Sequence, residues 1–364
     1  MKIVVAPDSF KGTVDAAVAA ERIAAGWRAQ RPADEIVLRP QADGGEGTLA
    51  ALAAAIPDAH WIDTGPVTGP EGGPTPGGYL RLADGTACVE LALTSGLPLM
   101  HAPDALGATT RGVGEVIAHA LADGATGILA ALGGSASTDG GAGALAALGL
   151  RLLDERGATV DDGGGGLLEV ATVDRSRLVA PPPGGVRLLC DVTAPLLGPR
   201  GAAATFGPQK GASPSDVAVL EQGLRRFADA VGAPESVRSL PGVGAAGGTA
   251  FGFVAEWGAT IEPGAQTIAE VTGLGDALRD ADAVITGEGR FDATSLTGKV
   301  VGSILAAAAA ARVRAIVIAG QVAGGHDAEA LTLADLAGTA DAAMADPEHW
   351  LFAAGSEAGR RAAG

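Results

Sequence analysis

The chain of 364 residues contains no asparagine, two cysteines and only four lysines among its 25 Lys and Arg. Cys88 and Cys190 cannot build a disulfide framework and form no C-x-x-C pair. The five histidines, His60, His101, His119, His326 and His349, show no metal-ligand spacing, which argues against zinc. Long hydrophobic runs are lacking too. The longest uncharged apolar stretch, Ile304 to Ala311, falls far short of the ~18 residues that span a bilayer. The opening MKIVVAPDSF is too short in apolar residues for a secretion leader, so a reducing cytoplasm is the expected compartment. Positive charge is scarce: a formal net charge of -17 disfavours nucleic acid and anionic membranes as partners.

Glycine is abundant. With 57 Gly, 21 Pro and 47% hydrophobic residues, but no Gly-X-Y period, the composition is that of a globular protein, neither collagenous nor disordered. The length suits about two domains. Three of the four lysines adjoin a glycine, at Lys11-Gly12, Lys210-Gly211 and Gly298-Lys299. A compact ammonium beside flexible backbone suits point contacts to phosphate, where a guanidinium is too broad.

Short β-branched or leucine-rich runs alternate with alanine-rich stretches. Ile3 to Ala6 reads as a strand, followed by a helix from Val14 to about Gln30 with Thr13 as its N-cap. Glu35 to Arg39 reads as the next strand and Thr48 to Ala55 as a helix. Further strands are expected at Gly127–Leu132, Val186–Cys190, Ala283–Thr286 and Ala315–Ala319. This alternation predicts an α/β fold with a parallel sheet covered on both faces. Gly65 to Thr94 breaks the rhythm, with paired strands around the hairpin dipeptide Asp84-Gly85, and marks a crossing into a second domain. The glycine-rich stretches 161–166 and 181–185 read as surface loops.

The predicted strands run into loops dense in Gly and in acidic or hydroxyl residues: PDSFKG, QADGGEGT, GGSASTDGG, VTAPLLGP and GEGRFD. In parallel α/β sheets such loops share the edge at which ligands bind. They carry Asp8, Asp43, Glu46, Asp139, Asp191, Glu288 and Asp292, a crowd of carboxylates that a hard cation such as Mg²⁺ would reconcile. Lys11, Arg290 and Lys299 accompany them, with glycine N–H groups suited to anions. The combination describes phosphoryl transfer. The P-loop spacing is missing around Gly298-Lys299. The G-x-G-x-x-G match at 242–247 follows Leu240-Pro241 with no strand before it, which favours close packing over a dinucleotide site.

Over essentially its whole length the chain resembles the bacterial glycerate kinase family. The resemblance rests on APDSFKGT at 6–13, ADGGEGT at 42–48, SGLPL at 95–99, TTRGVGE at 109–115 and LGGSASTDGGAG at 132–143. It continues with DVTAPLLGPRGAA at 191–203, FGPQKGA at 206–212, PGVGAAGG at 241–248 and GEGRFDATSLTGK at 287–299. It implies ATP-dependent, Mg²⁺-assisted phosphorylation of D-glycerate to 2-phosphoglycerate, with 3-phosphoglycerate as the alternative product. It also implies a Rossmann-like domain, 1–65 plus 285–364, with a second α/β domain, 66–284, inserted and the active site in the cleft between them. The family commonly has Asn where Thr138 and Ala194 stand, Gln near Thr294 and Pro near Val301.

Chemical roles follow as expectations. Arg290 clamps the substrate carboxylate and Asp292 reads a hydroxyl, with Glu288 and Ser135 also at the substrate. Asp191, following a strand and expected to be buried, and Asp8 are alternative catalytic bases, and either could instead hold magnesium. Asp43 and Glu46 are the metal candidates, with N-capping as the competing role for Asp43. Lys11 and Lys299 neutralise the transferring group. Lys210, Gly134, Ser137 and Thr138 serve the nucleotide phosphates, Lys210 alternatively organising its loop. A dinucleotide-dependent oxidoreductase and a two-domain binding module are the competing classes.

Overall fold

The computed structural model describes residues 1–296, 299–324 and 328–362; Gly298 and His326 lie outside the described residues. In chain order the strands are β1 (Lys2–Val5), β2 (Glu35–Leu38), β3 (His60–Thr68), β4 (Pro74–Arg81), β5 (Thr86–Glu90), β6 (Gly127–Ala131) and β7 (Arg151–Leu153). They continue as β8 (Thr172–Asp174), β9 (Val186–Leu189), β10 (Thr260–Glu262), β11 (Ala283–Phe291), β12 (Arg314–Val322) and β13 (Glu329–Thr332). The chain forms two compact units. The first comprises residues 1–43, 47–57 and 264–364, the second 44–46 and 58–263.

The first unit is built on an all-parallel sheet in the order β13-β12-β11-β1-β2. Strand alternation sends successive residues to opposite faces. Ile3 and Val5 join Ile285, Ile316 and Ile318 in one core, against Ile23, Trp27 and Leu351 of the helices Ala16–Gln30 and Pro347–Arg361. Val4 and Val284 join the other, with Leu278, Ile304 and Ala308 from the helices Leu274–Leu278 and Val300–Ala311. Both faces are covered, which explains why these strands read as continuous apolar runs. Helix Ala16–Gln30 starts later than expected. Asp15, not Thr13, caps it, accepting the Val18 N–H at 2.8 Å, while the Thr13 hydroxyl donates back to the Phe10 carbonyl at 2.7 Å.

The second unit carries a mixed sheet in the order β10-β9-β6-β5-β4-β3 and a separate β7-β8 pair. β10, β9, β6 and β5 run parallel, whereas β5-β4 and β4-β3 pair antiparallel. Asp84-Gly85 makes the turn between β4 and β5, with Gly85 at φ 86°. The expected domain limits shift accordingly. β3 pairs with β4, so, residues 44–46 aside, the crossing follows Pro57 rather than residue 65; helix Gly264–Val271 contributes Ala265 to the first unit's core, so the return comes at Gly264 rather than 285. No described helix is long and apolar enough to cross a membrane.

Candidate active site

In the first unit, the loops leaving the carboxyl ends of β1, β2 and β11 bring titratable groups together. Asp8 follows β1 and is fixed to β11 by donation from its N–H to the Gly287 carbonyl at 2.8 Å. Its carboxyl is pushed up to about 7, first by burial and next by the charge of Asp43, with Glu288 adding to the rise. The Ser9 amide, 2.6 Å from Asp8 Oδ1, and Lys11 oppose that shift. Lys11 Nζ lies 3.7 Å from Asp43 Oδ2 and is largely exposed. Glu288 is also raised by burial, against the pull of Ser295, Lys299 and Lys11. Its Oε1 is buried without a protein partner.

The end of β11 turns through Arg290 and Asp292, whose Nε and Oδ2 are 3.4 Å apart. Asp292 lies below the usual carboxylate range, because the Thr294 hydroxyl and amide donate to its Oδ1 at 2.6 and 2.9 Å. Part of its accepting capacity thus shapes the loop. Lys299 precedes helix Val300–Ala311 at its N-cap position.

Asp8, Asp43, Glu288 and Asp292 against Lys11, Arg290 and Lys299 leave these loops one positive charge short. Among the described residues no group of three or more His, Cys, Asp or Glu is close enough to hold a metal alone. Mg²⁺ takes one or two carboxylates and completes its shell with water and phosphate oxygens. The unpartnered Glu288 oxygen and the Asp8–Asp43 repulsion are suited to such an ion.

In the second unit the loops after β5, β6 and β9 form another group. The loop after β6 packs tightly: a Cβ on Gly133 would stand 2.4 Å from Gly45 Cα, and Gly134 adopts φ 76° against the Glu46 side chain. Ser137, Thr138 and Asp139 are wholly buried. Asp139 accepts from the Thr110 amide and hydroxyl at 2.9 and 2.8 Å and from the Gly141 and Gly143 amides at 3.0 and 3.2 Å. Burial raises it despite these donors. Lys210, only 2% exposed, donates to the Ser137 carbonyl and, at 3.3 Å, to Ser135 Oγ. Burial lowers its ammonium to about 7.

The glycine motif at 242–247 is a packing device. Gly247 has φ 66°, and a Cβ there would lie 2.1 Å from the Ser137 carbonyl oxygen. Ala246 is left-handed as well, at φ 52°. The short helix Glu235–Arg238, not a strand, lies ahead of the motif.

Asp8, Lys11, Asp43, Glu288, Arg290, Asp292 and Lys299 thus all belong to the first unit, Gly134, Ser135, Ser137, Thr138 and Lys210 to the second. One expectation changes. Asp191, just beyond β9, is exposed rather than buried, because the strand ends at Leu189. Of the two metal candidates, Asp43 belongs to the first unit and Glu46 to the second. Ser295, beside Glu288, and Thr110, which holds Asp139, escaped the sequence reading. Thr110 sat within a motif already noted, but its partner lies 29 residues away.

Comparison with known proteins gives the family. The sequence profile of the glycerate kinase family matches residues 3–362. A glycerate kinase of Bacillus subtilis (strain 168) is 40% identical over 330 residues, 88% of this chain and 85% of that one. A glycerate 2-kinase of Escherichia coli (strain K12) is 40% identical over 309 residues, 82% and 80% of the two chains. The crystal structure of a putative glycerate kinase 2 from Salmonella typhimurium LT2 superposes with a TM-score of 0.85 at 37% identity, covering 99% of this chain and 98% of that one. The chain belongs to the glycerate kinase family.

Proposed function

We propose that the chain transfers the terminal phosphoryl group of ATP, with Mg²⁺, to D-glycerate, giving 2-phosphoglycerate and ADP. The observation that carries this reading is the gathering of Asp8, Asp43, Lys11 and Glu288 at the loops after β1, β2 and β11, in a chain of the glycerate kinase family. An alcohol is a poor nucleophile until a positioned base takes its proton, and a base near neutral pH does so best. Asp8 is favoured over Asp191 for this role, being half-buried where Asp191 is exposed. As the glycerate oxygen bonds to phosphorus, its proton passes to Asp8 and the bond to the ADP oxygen breaks.

Arg290 holds the glycerate carboxylate, and Asp292 accepts from a hydroxyl through the oxygen facing Arg290. Lys11 and Lys299 offset charge on the phosphoryl group. Asp43 and Glu288 would hold Mg²⁺, which when bound neutralises phosphate charge. The 134–138 loop is assigned to the nucleotide phosphates. Phosphorylation at the 2-position is supported by the relative named for it; 3-phosphoglycerate is the alternative product. The packing role of 242–247 weighs against a dinucleotide-dependent oxidoreductase. A ³¹P NMR spectrum of ATP, Mg²⁺, D-glycerate and the protein tests the reading. The expected signal is that of 2-phosphoglycerate. Its absence, or oxidation of D-glycerate with NAD(P)⁺, would overturn it.

A further inference from the structure

We propose that Lys210 is a positioning residue for phosphate recognition, its ammonium fixing the Ser137 carbonyl and the Ser135 hydroxyl in the shape that receives the nucleotide. This rests on the reading given above. An ammonium has three donors and no acceptor, and a buried one must spend them on the protein. Lys210 spends two on a single loop about seventy residues earlier in the chain, and Asp139 supplies the opposite charge nearby. Burial leaves its amine no room to meet a ligand directly.

The loop is anchored elsewhere too. The Ala136 N–H donates to the Ser95 carbonyl at 2.9 Å, the Leu97 N–H to the Gly134 carbonyl at 2.9 Å, and the Gly140 N–H to the Gly247 carbonyl at 3.0 Å. The hydroxyls of Ser95 and Thr138 at this junction are buried without a protein partner, which leaves hydrogen-bonding capacity beside the fixed backbone. A Cβ on Gly247 would stand 2.1 Å from Ser137 O, so this carbonyl is closely packed on that side as well. Lysine stands here in a chain that otherwise favours arginine.

The test compares Lys210→Met with the native chain. A positioning role predicts a KM for ATP raised about tenfold or more, with kcat and the KM for D-glycerate within about threefold. Unchanged KM for ATP in a folded variant overturns the inference and leaves the reading of the reaction standing. A native chain that phosphorylates no glycerate overturns both. If the variant fails to fold, lysine-selective ¹⁵N labelling of the native chain decides, the four side-chain signals being assigned through Lys→Arg exchange at 2, 11 and 299. The Lys210 signal is expected to shift on saturation with a non-hydrolysable ATP analogue and Mg²⁺. A Lys210 signal unmoved at saturation overturns the proposal.

Discussion

Asp8 illustrates how a short loop tunes one proton. Burial and the Asp43 charge hold its carboxyl at about 7, against 3.8 for the free group. As the proposed base it must be ionised, so kcat/KM should fall as pH drops through the range in which its raised carboxyl takes up a proton. Asp8→Asn should lower kcat by about 10²- to 10⁴-fold and remove that limb, which a pH-rate profile will read. The sign for stability is opposite. A folded value above the unfolded one means that the protonated form is favoured by the fold, so its stabilisation is complete below pH 3.8 and lost as pH rises through about 7. Asp8→Asn should therefore melt above the native chain at pH 8, the difference shrinking by pH 5. At Arg290, exchange for Lys gives up the planar fork that grips a carboxylate; KM for D-glycerate should rise about tenfold or more, and an unchanged KM would remove the assignment.

Between elements, glycine decides how close two helices come. Gly26 on helix Ala16–Gln30 faces the Phe352 carbonyl of helix Pro347–Arg361, 2.0 Å from where a Cβ would stand, and Gly355 faces Ile23 O at 2.1 Å. Gly26→Ala should cost about 1–3 kcal/mol in thermal or denaturant unfolding. Gly275, within helix Leu274–Leu278, has open space at its Cβ and no positive φ, so Gly275→Ala should be neutral or gain about 0.5–1 kcal/mol. The apolar runs of β1, β6, β9, β11 and β12 are legible in sequence because both faces of these strands are buried. β10 and β13 are not, each being short and carrying polar residues. The Asp15 cap was hidden by Thr13, whose hydroxyl finds a partner within its own turn. Within the site, residues in strand-end loops could be named from the chain alone. The burial of Lys210 and the exposure of Asp191 could not, since both follow from packing by distant segments.

For the molecule as a whole, the governing feature is that the first unit is made from both ends of the chain. The second is nearly continuous from Asp58 to Pro263, with its own large core. A fragment of residues 58–263 should unfold cooperatively in thermal melts followed by circular dichroism. A fragment of residues 1–57 holds only β1 and β2 of its sheet and should remain unfolded. β1 lies between β2 and β11, strands whose starting residues are 35 and 283. On the ribosome, then, β1 must wait for a strand that begins at residue 283 before one of its edges is covered. Through that delay it offers an apolar ribbon with open backbone groups to any neighbouring nascent chain, a hazard that arises during translation itself.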